Sequence, residues 1–244
     1  MSKQHLVSAH PLPSICGLEG LPGTGKSTLC LKLPIDNVSN YAGSDVGPSR
    51  YPWLKRDTTG RHTLSLKSVW RNNRFFLQRE VARTDALEKR GINWAVLDRT
   101  WISGIVFNYA IAKACSIPKG ILAHYIDSIE SAQATGLLYF PDWLLIFKIP
   151  EKESFRRVVL RDSRFFSDNM LQIFTREQRI SFLRFRAEGY KLIEKTAGLP
   201  IINISYRAPI ETKCDAAITL PEGTRFRDPV IFFRTLRKNM LNGK

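Results

Sequence analysis

One short stretch limits the choice of fold more than any other part of the chain. Residues 17–33 read GLEGLPGTGKSTLCLKL, and residues 20–27 within them match the pattern G-x-x-x-x-G-K-[ST]. Glycines let backbone N–H groups turn inward around a phosphate, and a following helix points its positive end at the same anion. The apolar run at 14–18 and the run at 28–33 therefore predict a strand, a phosphate-binding loop and a helix.

The residue types in this loop predict what it binds. Lys26 is placed to reach the β- and γ-phosphate oxygens of a nucleoside triphosphate, and the Ser27 hydroxyl is placed to ligate Mg²⁺. ATP and Mg²⁺ are therefore the expected cofactors. The alternative is a chance match, against which the flanking strand-like and helix-like runs argue. The predicted phosphate-binding residues are Gly20, Gly23, Thr24, Gly25, Lys26, Ser27 and Thr28.

The rest of the chain alternates short apolar runs with amphipathic ones. Apolar runs at 92–97, 143–149 and 201–204 predict three further buried strands. We expect an α/β fold, a P-loop NTPase-type parallel sheet covered by helices on both faces. One domain is expected over 14–244, after a flexible lead-in at 1–13. Helical spacing predicts helices at 66–90, 101–114, 121–134, 151–161, 175–196 and 230–240.

The composition limits which binding partners and which cellular compartment are expected. The 244 residues include 37 Lys and Arg against 22 Asp and Glu, a net charge of +15 that favours anionic partners or simply a basic surface. Nucleic acid is therefore admitted as a partner but not favoured. No long apolar run or signal-like start is present, so we expect no membrane span and a cytoplasmic location. The dispersed cysteines and histidines predict reduced thiols and no zinc site.

A GTPase would need two further motifs, DxxG and [NT]KxD, each at the end of a strand. Both sequences occur in the chain. They are Asp57-Thr58-Thr59-Gly60 and Thr212-Lys213-Cys214-Asp215. The first follows a run with an internal proline and three basic residues, which is not a buried strand. The second is expected in a loop with no helix after it. The sequence context therefore disfavours a GTPase.

The stretch WAVLDRTWISGIVFNYA, at 94–110, brings a second set of polar residues to the same sheet edge. Asp98 and Arg99 follow a buried strand, and the phosphate loop follows another. Asp98 is expected to hold Mg²⁺ through water, and Arg99 to hold an anionic or polar acceptor. The alternative is an ordinary salt bridge at the end of a strand.

Several stretches together resemble one kinase family. EGLPGTGKST, at 19–28, resembles the start of thymidylate kinases and deoxynucleoside kinases. LDRTWIS resembles the Asp-Arg-aromatic-Ser neighbourhood of thymidylate kinases, where deoxynucleoside kinases usually have Glu-Arg-Ser. Residues 141–164 are similar to the strand, turn and arginine-bearing lid of both families, and 199–205 fall where their last core strand falls. The resemblance covers about 15–205.

This resemblance implies transfer of the γ-phosphoryl group of ATP. Lys26 and Mg²⁺ would neutralise charge on the donor, and Arg99 would orient the acceptor. A lid at about 151–170 would close over the transferring group and exclude water. The alternative for its arginines is that they form a basic helix face in contact with solvent. The implied catalytic residues are Lys26, Asp98, Arg99, Arg157, Arg161 and Arg164, with Arg156 as a further lid candidate.

The acceptor site is where the two families diverge. Phe75 and Gln78 resemble the Phe-x-x-Gln-like element of deoxynucleoside kinases, whose Gln pairs with the base; the alternative is a core Phe beside an exposed Gln. A nucleoside hydroxyl needs a carboxylate base, for which Asp45 is the candidate. A monophosphate acceptor is already ionised near neutral pH, so it needs no carboxylate base. Thymidylate kinases also carry a charged loop residue where this chain has Pro22.

The favoured interpretation is an ATP-dependent kinase of a nucleoside monophosphate, with thymidylate the first to try. Alternatives are a deoxynucleoside kinase, a kinase of another small hydroxylated metabolite, and a nucleic-acid-binding P-loop ATPase. The same interpretation allows a homodimer. The last alternative depends on the net charge and on a basic tail that contains Arg225, Arg227, Arg234, Arg237, Lys238 and Lys244.

Overall fold

The protein contains a parallel sheet whose strand order differs from the chain order. The computed structural model describes residues 14–33, 66–89, 94–115, 117–161, 176–219 and 227–242. Within these ranges, four parallel strands pair in the order β2-β1-β3-β4. The first strand is therefore central, and the segments after all four strands leave one edge of the sheet. The strands are β1 (Ser14–Gly20), β2 (Trp94–Asp98), β3 (Trp143–Lys148) and β4 (Ile201–Ser205).

Helices connect and cover these strands, and most lie where their sequence pattern predicts them. The third and fifth have the predicted bounds, and the last begins at the predicted cap, where the Asp228 side chain accepts from the Ile231 amide. In the described ranges the helices are α1 (Lys26–Lys32), α2 (Leu66–Lys89), α3 (Trp101–Ala114), α4 (Gly120–Ala134), α5 (Glu151–Arg161), α6 (Arg176–Glu194), α7 (Ile210–Ile218) and α8 (Pro229–Leu241).

Two local predictions were wrong. Residues 212–215, expected in a loop, lie inside α7, which follows Pro209 and carries Glu211 in its first turn; the acidic residue suits the positive end of a helix. The string is still not at a strand end, so it does not support a GTPase. Strand β4, expected to be buried, is an edge strand in which only Ile204 is buried.

The hydrophobic core has two halves, one on each face of the sheet. One half joins Ile15 of β1 to α3, α4, α6 and α8, and includes the stacked rings of Trp101 and Phe233. The other half joins Cys16 and Leu18 to α1 and α7. Alternation along β1 therefore directs Ile15 and Glu19 to the first half. This arrangement confirms the predicted parallel sheet with helices on both faces. No helix in the described ranges has the length and apolarity to cross a membrane.

Two glycines with left-handed backbone provide a stability test. A Cβ on Gly198 (φ 87°) would lie 2.5 Å from the Asp228 carbonyl oxygen and 2.8 Å from the Phe232 nitrogen, whereas one on Gly136 (φ 74°) meets nothing within 4 Å. We expect Gly136→Ala to lower the free energy of unfolding by about 1–2 kcal/mol through backbone strain. Gly198→Ala should cost about 2–4 kcal/mol, because the clash with the start of α8 adds to it. Urea unfolding measures both, and equal costs would contradict the packing of Gly198.

Candidate active site

The phosphate loop joins the central strand to α1 at the carboxyl edge of the sheet. Gly20 ends β1 with φ 125°, and Gly25 caps α1 with φ 90°, both conformations that L side chains rarely adopt. A Cβ on Gly20 would also lie 2.7 Å from the Phe147 carbonyl oxygen. The loop therefore has the backbone that its sequence predicts, and the amino end of α1 faces the space that the loop encloses.

Lys26 is buried inside this loop. Its side chain is only 5% exposed, and its Nζ donates to the Gly20 and Leu21 carbonyl oxygens at 3.2 and 2.9 Å and to Thr24 Oγ1 at 2.8 Å. Burial, and then the positive charge of Arg99, hold the pKa of Lys26 well below its usual value. The ammonium group is thus held by the loop itself, next to a second cation.

The next residue of the loop contacts the end of β2. Ser27 Oγ donates to Asp98 Oδ2, and Asp98 Oδ1 is buried without a hydrogen-bond partner among the described residues. A carboxylate with a free oxygen beside a hydroxyl is an oxygen-ligand set that suits Mg²⁺. The described residues contain no cluster of three His, Cys, Asp or Glu side chains. A bound Mg²⁺ would therefore need phosphate and water oxygens as further ligands.

Arg99 leaves β2 in a conformation that is unusual for a side chain of its size. Its φ of 70° is the only positive value at a non-glycine position in the described ranges. The backbone is held on both sides, because its N–H donates to the Leu18 carbonyl at 3.0 Å and its carbonyl accepts from Arg83 Nη1 at 2.7 Å. The guanidinium donates to Ser103 Oγ at 3.3 Å. A strained backbone at a strand end marks a candidate functional position.

Arg83 is itself held by a buried cluster on α2. Its guanidinium forms an ion pair with Glu80 at 3.4 Å, and Glu80 also accepts from the Tyr139 hydroxyl at 2.6 Å. Burial raises the pKa of Glu80 above its usual value, and the positive charge of Arg83 opposes that shift. This cluster holds the Arg99 carbonyl through Arg83.

Glu19 connects the phosphate loop to two helices. It is fully buried and accepts hydrogen bonds from the Thr100 amide at 2.8 Å, Thr100 Oγ1 at 2.7 Å and Ser103 Oγ at 2.5 Å. It also accepts from the Tyr190 hydroxyl of α6 at 3.0 Å. With four donors, its carboxylate is fully committed. Glu19 therefore acts as a fixed anchor for the loop, α3 and α6.

A third cation, Arg186 of α6, lies beside Lys26 and Arg99. It is 8% exposed, and its Nε has no hydrogen-bond partner among the described residues. Burial, and then the charge of Arg99, lower its pKa, and Tyr190 lies beside both guanidinium groups. The buried Lys26 and Arg186 and the partly buried Arg99 repel one another, and an anion bound between them would remove that cost. Sequence reasoning missed Arg186, because nothing distinguishes it from the other arginines of α6.

Helix α5, where the predicted lid begins, contacts the phosphate loop. Ser154 Oγ donates to the Pro22 carbonyl at 2.7 Å, and Arg157 Nη1 donates to the Gly23 carbonyl at 3.2 Å, so α5 rests on the phosphate loop. The Arg157 guanidinium also lies 4.6 Å from the centre of the Tyr206 ring. A cleft of about 310 Å³ opens here, lined by Gly23, Gly25, Thr28, Arg157 and Leu160. This cleft lies between the phosphate loop and α5.

The remaining predicted residues are placed less closely or lie outside the described residues. Arg161 ends α5, but its side chain is not described, and Arg164 and Asp45 lie outside the described ranges. Phe75 is half-buried, within reach of the Phe76 ring and the Arg79 guanidinium, and Gln78 is exposed on α2. The role predicted for Gln78 stays a prediction.

Comparison with known proteins supports the fold but not a particular activity. No family model matches the sequence, and no curated protein matches it significantly. Among solved structures, the chain is similar to deoxyadenosine kinase from M. mycoides with bound dATP, at a TM-score of 0.59 and 15% identity, covering 83% of this chain and 96% of that one. The same enzyme with the products dCMP and dCDP gives a TM-score of 0.56 at 15% identity, covering 83% and 95%. The chain therefore has the fold of this P-loop kinase.

Proposed function

We propose that this protein is a deoxynucleoside kinase, which transfers the γ-phosphoryl group of ATP to a nucleoside. The observation that carries the proposal is the group of Lys26, Arg99 and Arg186 beside the phosphate loop, in a chain with the fold of a deoxyadenosine kinase. Catalysis of phosphoryl transfer requires positioning and cations around the transferred group more than covalent chemistry. This group supplies both.

Each side chain has a role that follows from its contacts. The loop backbone and Lys26 would bind the donor phosphates, and the cleft against Arg157 would hold the rest of the nucleotide. Ser27 and Asp98 would hold Mg²⁺, which when bound neutralises phosphate charge. Arg99 and Arg186 would hold the transferring phosphoryl group or the acceptor from the other side. Glu19 would keep α3 and α6 in register with the loop.

A panel of acceptors tests this assignment. Thymidine, deoxycytidine, deoxyadenosine and deoxyguanosine, and their 5′-monophosphates, are each supplied with ATP and Mg²⁺, and ADP release is measured. We expect at least one nucleoside to be phosphorylated well above the rate without acceptor. If only monophosphates are phosphorylated, the deoxynucleoside assignment is wrong. If neither set is, the acceptor belongs to another chemical class.

A nucleoside monophosphate, including thymidylate, is the second candidate, and the cation group supports it. Two guanidinium groups, of the buried Arg186 and the partly buried Arg99, suit a phosphate already present on the acceptor. In addition, the carboxylates described around the site are engaged. Glu19 accepts four hydrogen bonds, Asp98 accepts one from Ser27, and Glu80 pairs with Arg83 and accepts from Tyr139. A monophosphate needs no carboxylate base, whereas a nucleoside would need one such as Asp45.

The contacts of the basic tail do not favour nucleic-acid binding. Arg227 forms an ion pair with Asp142 at 2.9 Å, and Arg237 pairs with Asp127 at 2.7 Å and with Glu130. These two arginines therefore attach the C-terminal segment to the rest of the protein. They are less available for phosphate contacts than their sequence positions predict.

Replacement of Arg186 should lower kcat without lowering the free energy of unfolding. We expect Arg186→Gln to lower kcat about 10²- to 10³-fold, because a cation facing the transferring group is lost. The free energy of unfolding should stay the same or rise, because a buried charge next to Arg99 is removed. The matched control is Arg184→Gln, an exposed arginine on the same helix that should leave kcat unchanged. Steady-state kinetics and urea unfolding measure both effects, and a wild-type kcat for Arg186→Gln would contradict the role of this residue.

A further inference from the structure

The hydroxyl groups of Tyr190 and Ser103 lie between Glu19 and the arginines of the active site. Tyr190 is on α6 and Ser103 is on α3, and both side chains are buried. The Tyr190 hydroxyl donates to Glu19 Oε2 at 3.0 Å, and Ser103 Oγ donates to the same oxygen at 2.5 Å. The two hydroxyl oxygens are 3.2 Å apart. One carboxylate oxygen therefore collects two hydroxyl groups that come from different helices.

These contacts determine where the hydroxyl hydrogens point. Each hydroxyl has one hydrogen to donate and an oxygen that can also accept, whereas a carboxylate oxygen can only accept. Both hydrogens are therefore directed at Glu19, and neither hydroxyl has a hydrogen left for the other. The oxygens of Tyr190 and Ser103 remain as acceptors, and such atoms suit N–H donors.

The guanidinium groups of Arg99 and Arg186 supply those donors. Arg99 Nη1 donates to Ser103 Oγ at 3.3 Å. Arg186 lies four residues before Tyr190 on α6, so their side chains share one face of the helix. Burial, and then the charge of Arg99, lower the pKa of Arg186, and a hydrogen bond with Tyr190 opposes them. A guanidinium has five N–H donors, and Arg186 Nε has no partner among the described residues.

We propose that Tyr190 and Ser103 are positioning residues, which hold Arg186 and Arg99 with their remaining N–H groups directed at the phosphate that the site binds. The inference rests on the proposed function and extends it to what orients the two arginines. A hydroxyl suits this role better than a carboxylate in direct contact would. A carboxylate forms a two-pronged pair with a guanidinium and occupies N–H groups that a phosphate needs.

Tyr190→Phe tests the proposal, because it removes the hydroxyl and keeps the ring. We expect kcat to fall about 10- to 100-fold, the loss typical of one hydrogen bond to a charged group or of a small misplacement of a reacting group. The matched control is Tyr109→Phe. Tyr109 is a buried tyrosine of α3 whose hydroxyl donates to Glu188 of α6, so the control removes the same kind of bond from the same helix. It should retain wild-type kcat, and circular dichroism melting confirms that each variant folds.

A double-mutant cycle with Arg186→Gln separates positioning from packing. If Tyr190 acts through Arg186, Tyr190→Phe should lower kcat by less than about threefold once Arg186 is already replaced. An equal loss in both backgrounds would mean that the hydroxyl only supports the packing of α6, and it overturns the inference. A wild-type kcat for Tyr190→Phe also overturns it. If Tyr190→Phe does not fold, Ser103→Ala measured with and without Arg99→Ala makes the same comparison for the second hydroxyl.

Binding of inorganic tripolyphosphate provides a readout that needs no acceptor. We expect Tyr190→Phe to raise its Kd about tenfold in calorimetry, and Tyr109→Phe and Tyr190→Phe within Arg186→Gln to cause no further change. An unchanged Kd for Tyr190→Phe together with wild-type turnover overturns the inference and leaves the proposed function intact. The expected pattern in Kd without turnover of any acceptor supports the inference while the proposed function fails.

Discussion

Lys26→Ala is expected to lower kcat by at least about three orders of magnitude while the protein stays folded. The ammonium group lies in the phosphate loop. Under the proposed function it would face the charge that develops in the transition state, so its removal could not be offset by substrate concentration. Stability should change little, because the lost charge is buried and its pKa is already lowered by burial and by Arg99. Steady-state kinetics with saturating ATP and Mg²⁺ measure the effect.

The control for this variant is Lys32→Ala, an exposed lysine in the last turn of the same helix. It should retain wild-type kcat. A kcat for Lys26→Ala within about tenfold of wild type would exclude a catalytic role for the loop lysine. Equal circular dichroism melting curves for the two variants are required for this conclusion.

Arg99→Lys is expected to be nearly as damaging as Arg99→Ala, with kcat/KM lowered about 10²- to 10³-fold in both. The guanidinium is a planar fork that donates to Ser103. Under the proposed function its other N–H groups would bind the acceptor or the transferring phosphoryl group, and an ammonium on a flexible stem could not do both. Steady-state kcat/KM for the acceptor measures the effect. Normal kinetics in Arg99→Lys would show that the residue is structural.

The left-handed backbone of Arg99 provides a control, because a glycine at this position should be more stable than an alanine. Arg99→Gly removes the same side chain but also relieves the left-handed conformation at φ 70°. Relative to Arg99→Ala, its free energy of unfolding should be higher by about 1 kcal/mol, with the same loss of activity. If the two variants unfold at the same urea concentration, the backbone at this position is not strained in solution.

The elements that were predictable from the sequence are those with local signals. The start of α3 follows a Thr100 cap and that of α8 an Asp228-Pro229 pair, and both helices begin there. The contact between Ser27 and Asp98 was predictable because the ends of parallel strands share one edge of the sheet. Strand β1 is longer than its glycines predict, since it pairs on both sides.

The parts that were not predictable depend on contacts between distant segments. Glu19 and Tyr190 are 171 residues apart, and their hydrogen bond has no counterpart in local periodicity. The same holds for Arg186, whose position beside Arg99 and Tyr190 appears only when the helices pack together. Helix α7 was missed because its pattern is short and follows Pro209.

Transfer of a radiolabelled γ-phosphate from ATP tests the central claim most directly. The protein is incubated with labelled ATP, Mg²⁺ and a mixture of deoxynucleosides, and the products are separated. The account predicts that the label appears in a deoxynucleoside monophosphate, and that it does not with Lys26→Ala. The contradicting result is label found only in free phosphate, with turnover stimulated by single-stranded DNA and lost at high salt, as expected for a nucleic-acid-dependent ATPase.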